Sequence, residues 1–225
     1  MRNICVSILL LSTALLHSGD IAIFQNLGFS PDAQHYMFAQ YGVSEKSSSP
    51  YTELFVVKVS TNRFVPGGVR RFSGSKAVGP GNDGRSALFT ILEDSLSLKK
   101  KWSIDHFLTG RLLYILLDGQ DPKAELEFRD FETGAKYNVK LIQSSIDSKV
   151  ETKSSFHLIV TVEKSGTTNR YTVGLPNYWR NGVINYRIKQ ILLGPNERSL
   201  IFVIEKEEQD GKGVNIRYMV ETLSR

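Results

Sequence analysis

The sequence predicts a mainly β fold, built of antiparallel, blade-like sheets with one substantial α-helix near residues 85–102. Three observations predict it. Short blocks of β-branched and aromatic residues, many alternating apolar with polar, recur about a dozen times between Gly, Pro, Asn, Asp and Ser clusters. One segment alone changes to the three-and-four spacing of a helix. A turn-plus-strand unit occurs twice. Phe29-Ser30-Pro31-Asp32-Ala33 precedes Tyr36-Met37-Phe38-Ala39, and Leu193-Gly194-Pro195-Asn196-Glu197 precedes Leu200-Ile201-Phe202-Val203. The copies align without a gap, Phe29 on Leu193, Pro31 on Pro195, Asp32 on Asn196 and Phe38 on Phe202. Pro presets φ at the first central position of a turn, and Asp or Asn bonds its own backbone there.

The N-terminus reads as a secretory leader. Arg2 supplies the positive start, and Ile4 to Leu16 is apolar but shorter than the ~20 residues that span a bilayer. Small residues follow, so cleavage is expected after Gly19, with Ala22 as the later choice. The only cysteine, Cys5, lies in this run. A mature chain would carry no thiol, no disulfide and no cysteine metal site, which suits an oxidising compartment. No cysteine stands just after the apolar run to take a lipid, and no later run is long enough to cross a membrane. Residues 1–19 are thus read as leader and 20–225 as a single mainly β domain with a helix-containing insertion at about 73–107. The chain of 225 residues is 41% hydrophobic and 23% charged, ordinary values for a folded domain. Its formal charge of +5 is spread and broken by acidic runs, which describes a solvated surface better than a polyanion site.

In order, strands are expected at Ile21 to Leu27, His35 to Tyr41, Tyr51 to Val59, and Phe64 to Phe72 with a bend at Pro66-Gly67-Gly68. A Gly- and Ser-rich stretch runs from Ser73 to Gly84. Leu88, Ile91, Leu92, Ser95, Leu96, Lys99 and Trp102 then mark the helix face, with Asp83 as N-cap and Lys99-Lys100-Lys101 where the macrodipole favours cations. Strands resume at Arg111 to Leu117, Ala124 to Phe131 and Lys136 to Gln143. Polar Ser144 to Ser155 reads as loop. Phe156 to Glu163 and Arg170 to Gly174 form the next pair, and Leu175 to Gly182 is an aromatic loop. Val183 to Leu193, Leu200 to Glu205 and Val214 to Leu223 close the chain, with Glu207 to Gly213 as an acidic loop. The two turn copies stand about four blade lengths apart, at ~40–45 residues per blade. A small, degenerate β-propeller and a two-sheet β-sandwich with a packed helix both satisfy this count.

Phe29-Ser30-Pro31-Asp32 through Phe38, with Glu53-Leu54-Phe55-Val56-Val57, resembles the blade motif of the TolB-type propellers of the periplasm. The whole mature chain is similar to a family of secreted bacterial proteins defined only as a domain of unknown function. The residues that carry this are Phe29 to Asp32, Gln40-Tyr41-Gly42-Val43, Pro50-Tyr51, Phe64-Val65-Pro66-Gly67, Phe128-Arg129-Asp130 and Arg217 to Thr222. Ala33 departs from the Gly usual there, which speaks against a positive φ at this position. The resemblance implies export and a shared fold, and no activity.

Catalytic chemistry leaves little trace. There is no Gly-x-Ser-x-Gly elbow. Ser-x-x-Lys occurs at Ser73–Lys76 and Ser97–Lys100 without a Lys-Thr-Gly companion. Past the leader, His35, His106 and His157 are isolated, with no zinc spacing. Gly79 to Gly84 lacks the Lys-Ser/Thr ending of a phosphate loop, and Asp210-Gly211 with its glutamates lacks EF-hand spacing. No catalytic residue, metal ligand or cofactor is assigned. The stretch with recognition chemistry is Tyr178-Trp179-Arg180, since aromatic and Arg side chains on a loop are typical binding hot spots. The alternative is a loop that tucks Trp179 into the core. The expected function is a non-enzymatic binding or interaction module of the periplasm or envelope, with an envelope protein or glycan as partner and nucleic acid disfavoured. The competing reading is an envelope hydrolase that uses carboxylates on a glycan or peptide. A hydrolase needs a cleft with clustered acids, and a binding module needs an aromatic patch or an exposed strand edge.

Overall fold

A computed structural model describes residues 19–147, 152–211 and 213–225. Apart from Gly19, the expected leader lies outside the described residues. The front sheet is a meander of β1 (Ile23–Phe29), β2 (His35–Val43), β3 (Pro50–Lys58) and β4 (Arg63–Ser73) in that order. Helices α1 (Arg85–Asp94) and α2 (Leu96–Lys101) follow. The central sheet has the order β13-β12-β11-β5, from β5 (Arg111–Ile115), β11 (Val183–Leu193), β12 (Ser199–Asp210) and β13 (Gly213–Ser224). The back sheet runs β10-β8-β7-β6, from β6 (Glu125–Arg129), β7 (Lys136–Asp147), β8 (Thr152–Lys164) and β10 (Arg180–Asn181), with β9 (Thr167–Val173) also on β8. All pairings between these strands are antiparallel.

The faces stack in the order helices, front sheet, central sheet, back sheet. Side chains alternate along a strand, so a strand between two layers must be apolar at every position. On β12, Leu200, Phe202 and Ile204 enter the core shared with the back sheet, while Ile201 and Val203 enter the core shared with the front sheet. On β2, Tyr36 and Phe38 face the central sheet, while Met37, Ala39 and Tyr41 face Leu88, Ile91 and Leu98 of the helices. Each Leu, Ile, Val, Phe or Met among them, fully buried, contributes ~1.5–3 kcal/mol. The continuous apolar runs after the two Pro turns are therefore doubly covered strands, as is β3, whose Phe55 and Val57 face the central sheet and whose Leu54 and Val56 face the helices. This stack fits the sandwich-like alternative; nothing in it supports a propeller ring.

The repeated turn is a repeat in three dimensions. The N–H of Ser30 donates to the His35 carbonyl at 2.9 Å and that of Gly194 to the Ser199 carbonyl at 2.7 Å. Asp32 Oδ1 accepts from the Gln34 N–H at 3.0 Å, and Asn196 Oδ1 from the Arg198 N–H at 3.1 Å. Ala33 has a φ of 54°, against the sequence expectation. The turn closes with the Ala33 N–H on the Ser30 carbonyl at 2.8 Å, and that closure imposes the left-handed conformation despite the Cβ.

Three further expectations are corrected. The helix is broken at Ser95, whose backbone (φ −101°, ψ 10°) leaves the α region and whose N–H donates to the Leu92 carbonyl at 3.2 Å. Ser is a weak helix interior residue, and the break lets Leu98 reach the front sheet. Gly84, not Asp83, occupies the cap, with φ 80°, and Asp83 Oδ1 accepts from the Arg85 N–H at 2.9 Å. A Cβ at Gly84 would collide with the Gly42 carbonyl. Finally, the described residues of Ser144 to Ser155 are strand, and those of Glu207 to Gly213 are strand apart from Gly211. Ser144 pairs with Ser155 and Glu207 with Ile216, because each polar stretch extends a ladder already started by an apolar one.

Candidate functional site

The inner face of the front sheet carries a row of rings. Phe24 stacks on Phe38 (5.7 Å between centroids), Phe38 on Phe55 (4.8 Å) and Phe55 on Phe64 (5.4 Å), one ring from each of β1 to β4. Cross-strand pairing explains the row: Phe38 lies opposite Phe55, and Val57 opposite Phe64. The central sheet covers the row only in part. Phe38 is buried, whereas Phe64 on the edge strand is 54% exposed.

Two clefts open where the cover ends. The first, of about 820 Å³, lies between the front sheet and the ends of β12 and β13. The second, of about 570 Å³, lies between Asn62, Gly174 and Glu221. Phe64, Tyr178, Arg180 and Met219 line both and form the ridge between them.

Apart from exposed Arg63 at the second cleft, the charged side chains that line these clefts are paired. In the first, Asp20 pairs with Arg217, Glu53 with Arg71 (2.6 Å), Glu208 with Lys206 and Asp210 with Lys46 (2.5 Å). In the second, Glu221 faces Arg180 at 3.7 Å and accepts from Asn62. Burial raises the Glu221 carboxyl above its ordinary range, against the pull of Asn62 and Arg180. Arg217 is also buried, yet its charge is held by Asp20 and by the face of Tyr51, 4.8 Å away.

The free edge of β13 is closed along the clefts. The Ile216 N–H donates to the Asp20 carbonyl (2.9 Å), that of Tyr218 to Gln40 Oε1 (2.7 Å), and that of Thr222 to Asn62 Oδ1 (2.9 Å). Ile21 bridges Ile216 in parallel, and Ala22 is buried in the core. The chain just after Gly19 is thus part of the folded body.

The structure separates the three residues of the aromatic loop. Tyr178 is 55% exposed on the ridge. Arg180 is ringed by Tyr178 (4.8 Å), Phe156 (5.1 Å) and Tyr186 (5.9 Å), so it joins the back sheet to Glu221 on the central sheet. Trp179 lines neither cleft and is not tucked into the core: it is 39% exposed, with the Lys153 ammonium 5.8 Å from its ring.

The family described as "Predicted secreted protein (DUF2259)" matches residues 37–224. The chain belongs to this family. Its function is unknown, and the description makes this an exported protein. No curated protein and no solved structure matches the chain. Several residues of the earlier resemblance have clear structural work. Gln40 links the two sheets through Tyr218 and Glu53, and Asp130 takes both terminal nitrogens of Arg111.

The other sequence motifs are not brought together. Ser73 ends β4, and Ser97 and Lys100 lie on α2. His106 Nδ1 lies 2.6 Å from the Leu27 carbonyl, and His35 packs on Trp102. Among the described residues no group of three metal-ligating side chains gathers, and no helix is long and apolar enough to cross a membrane. Sequence reasoning missed Phe64 and Glu221. Phe64 had a signal, a large apolar residue beside a Pro-Gly-Gly bend. Glu221 had none, because its burial comes from two distant segments, Asn62 and Arg180.

Proposed function

We propose that this exported protein is a non-enzymatic binding module of the periplasm or envelope, and that its ligand site is the pair of clefts with Phe64 and Tyr178 on the ridge. The observation that carries this reading is the ridge itself: two half-exposed rings, Phe64 from the edge of the front sheet and Tyr178 from the loop before β10, placed between two open clefts whose acids are already paired. Such rings offer stacking area at little entropic cost. Arg180 serves as the frame that holds Tyr178, and Trp179 stands outside the site. We read the leader as ending at Gly19 rather than Ala22, a reading supported by the contacts of Asp20 and the burial of Ala22.

The hydrolase reading has one observation in its favour. Glu221 is buried beside the ridge with its carboxyl raised, as a general acid would be. It is the only acid lining the second cleft among the described residues. Carboxylate-based glycoside hydrolysis needs a second such group. The test incubates the exported protein with envelope glycan and peptide fractions and follows both retention and turnover. Retention without product, lost in the Phe64→Ala, Tyr178→Ala variant, supports the binding reading. Product formation that Glu221→Gln abolishes overturns it.

A further inference from the structure

We propose that the ridge and its two clefts bind an uncharged glycan chain. This rests on the binding reading above and names its ligand class. Three features argue for it. The five ion pairs match every acid of the cleft walls and every cation but Arg63, which is exposed to solvent at the second cleft, although the whole chain carries +5. A charged ligand held inside the clefts, away from exposed Arg63, would have to break one of these pairs and leave its partner unmatched, which is costly near a half-buried wall. A neutral polyol does not, since paired carboxylates, guanidiniums and amides keep lone pairs and N–H groups for hydroxyls.

The exposed rings of Phe64 and Tyr178 present flat apolar surfaces of the kind on which the C–H face of a pyranose ring stacks. They stand at the mouths of both clefts, so a chain of several sugars can cross the ridge and place residues on either side. An extended peptide is disfavoured by the edge of β13. Strand addition needs free N–H groups, and those of Ile216, Tyr218 and Thr222 are already bonded to Asp20, Gln40 and Asn62.

The test is calorimetric titration of the exported protein with two panels. One holds neutral oligosaccharides: maltotetraose, chitotetraose and a mannan. The other holds polygalacturonate, heparin, and acidic and basic peptides. The expected result is binding to a member of the neutral panel that changes less than about twofold between low salt and ~0.5 M salt. Phe64→Ala and Tyr178→Ala each weaken it by roughly fivefold or more, with the thermal transition of each variant recorded to show that it folds. Salt-dependent binding of a charged probe, lost in the same variants, overturns the glycan assignment and keeps the binding site. Failure of every probe, or binding that both variants retain, overturns the glycan assignment together with the site.

Discussion

Ala33 and Glu197 hold the same left-handed backbone, φ 54° in each, at matching positions of two turns that stand at opposite ends of the chain. Neither residue favours that conformation, which costs an L side chain ~1–2 kcal/mol. Glycine would relieve the strain but would loosen the unfolded chain by ~0.4–1 kcal/mol. Glu197→Gly is expected to stabilise the protein by about 0.5–1 kcal/mol. Ala33 is fully buried and its methyl packs in the core, so Ala33→Gly is expected to be near neutral. Urea unfolding of the two variants side by side checks the difference.

Asp130 ties the back sheet to the central sheet through Arg111, with Thr133 and the Glu132 N–H on the same carboxylate. The Arg111 bond first, then these two, hold the carboxyl well below its ordinary 3.8. A carboxyl lowered in the folded state stabilises it above the unfolded value and loses that contribution as pH falls through the folded value. Asp130→Asn should therefore cost about 1.5–3 kcal/mol at neutral pH. The gap to the parent should narrow as pH falls below 3.8, measured by unfolding across pH.

Arg180 and Phe64 border the same ridge but should fail differently. Removing Arg180 leaves Glu221 buried without its cation, a loss of ~3 kcal/mol or more. Phe64 is half exposed, so Phe64→Ala should cost about 1 kcal/mol of stability while it lowers ligand binding. Thermal melts and titrations on Arg180→Ala and Phe64→Ala separate the two roles.

Asp20 bonds Arg217, the Tyr51 hydroxyl (2.9 Å) and the Ile216 N–H (2.9 Å). The exported protein should accordingly begin no later than Asp20, which N-terminal sequencing reads directly. A form that begins at Ile23 should lose more than ~2 kcal/mol, because it strands the buried Arg217 and uncovers the β13 edge.

The strand pattern was legible because period-two alternation and turn chemistry are local. The repeated turn was legible for the same reason, and it marked two of the strands that become buried on both faces. The helix break at Ser95 was not, since it answers to the position of the front sheet. The strand character of Ser144 and Ser155 was also hidden, because their ladder is inherited from apolar neighbours along β7 and β8. Of the site, Tyr178 could be read from loop chemistry. Arg180 carried the same signal and turned out to be framed by Phe156, Tyr186 and Glu221, contacts that only the meeting of two sheets creates.

The most direct measurement is amide chemical-shift mapping of the isotope-labelled protein titrated with the oligosaccharide it binds best. The expected shifts are confined to Phe64, Tyr178 and the walls of the two clefts, Asn62, Asn215 and Tyr218 among them. Shifts centred instead on the exposed edge at Leu112 and Ile115, or on Lys99 to Lys101, would contradict this placement of the site.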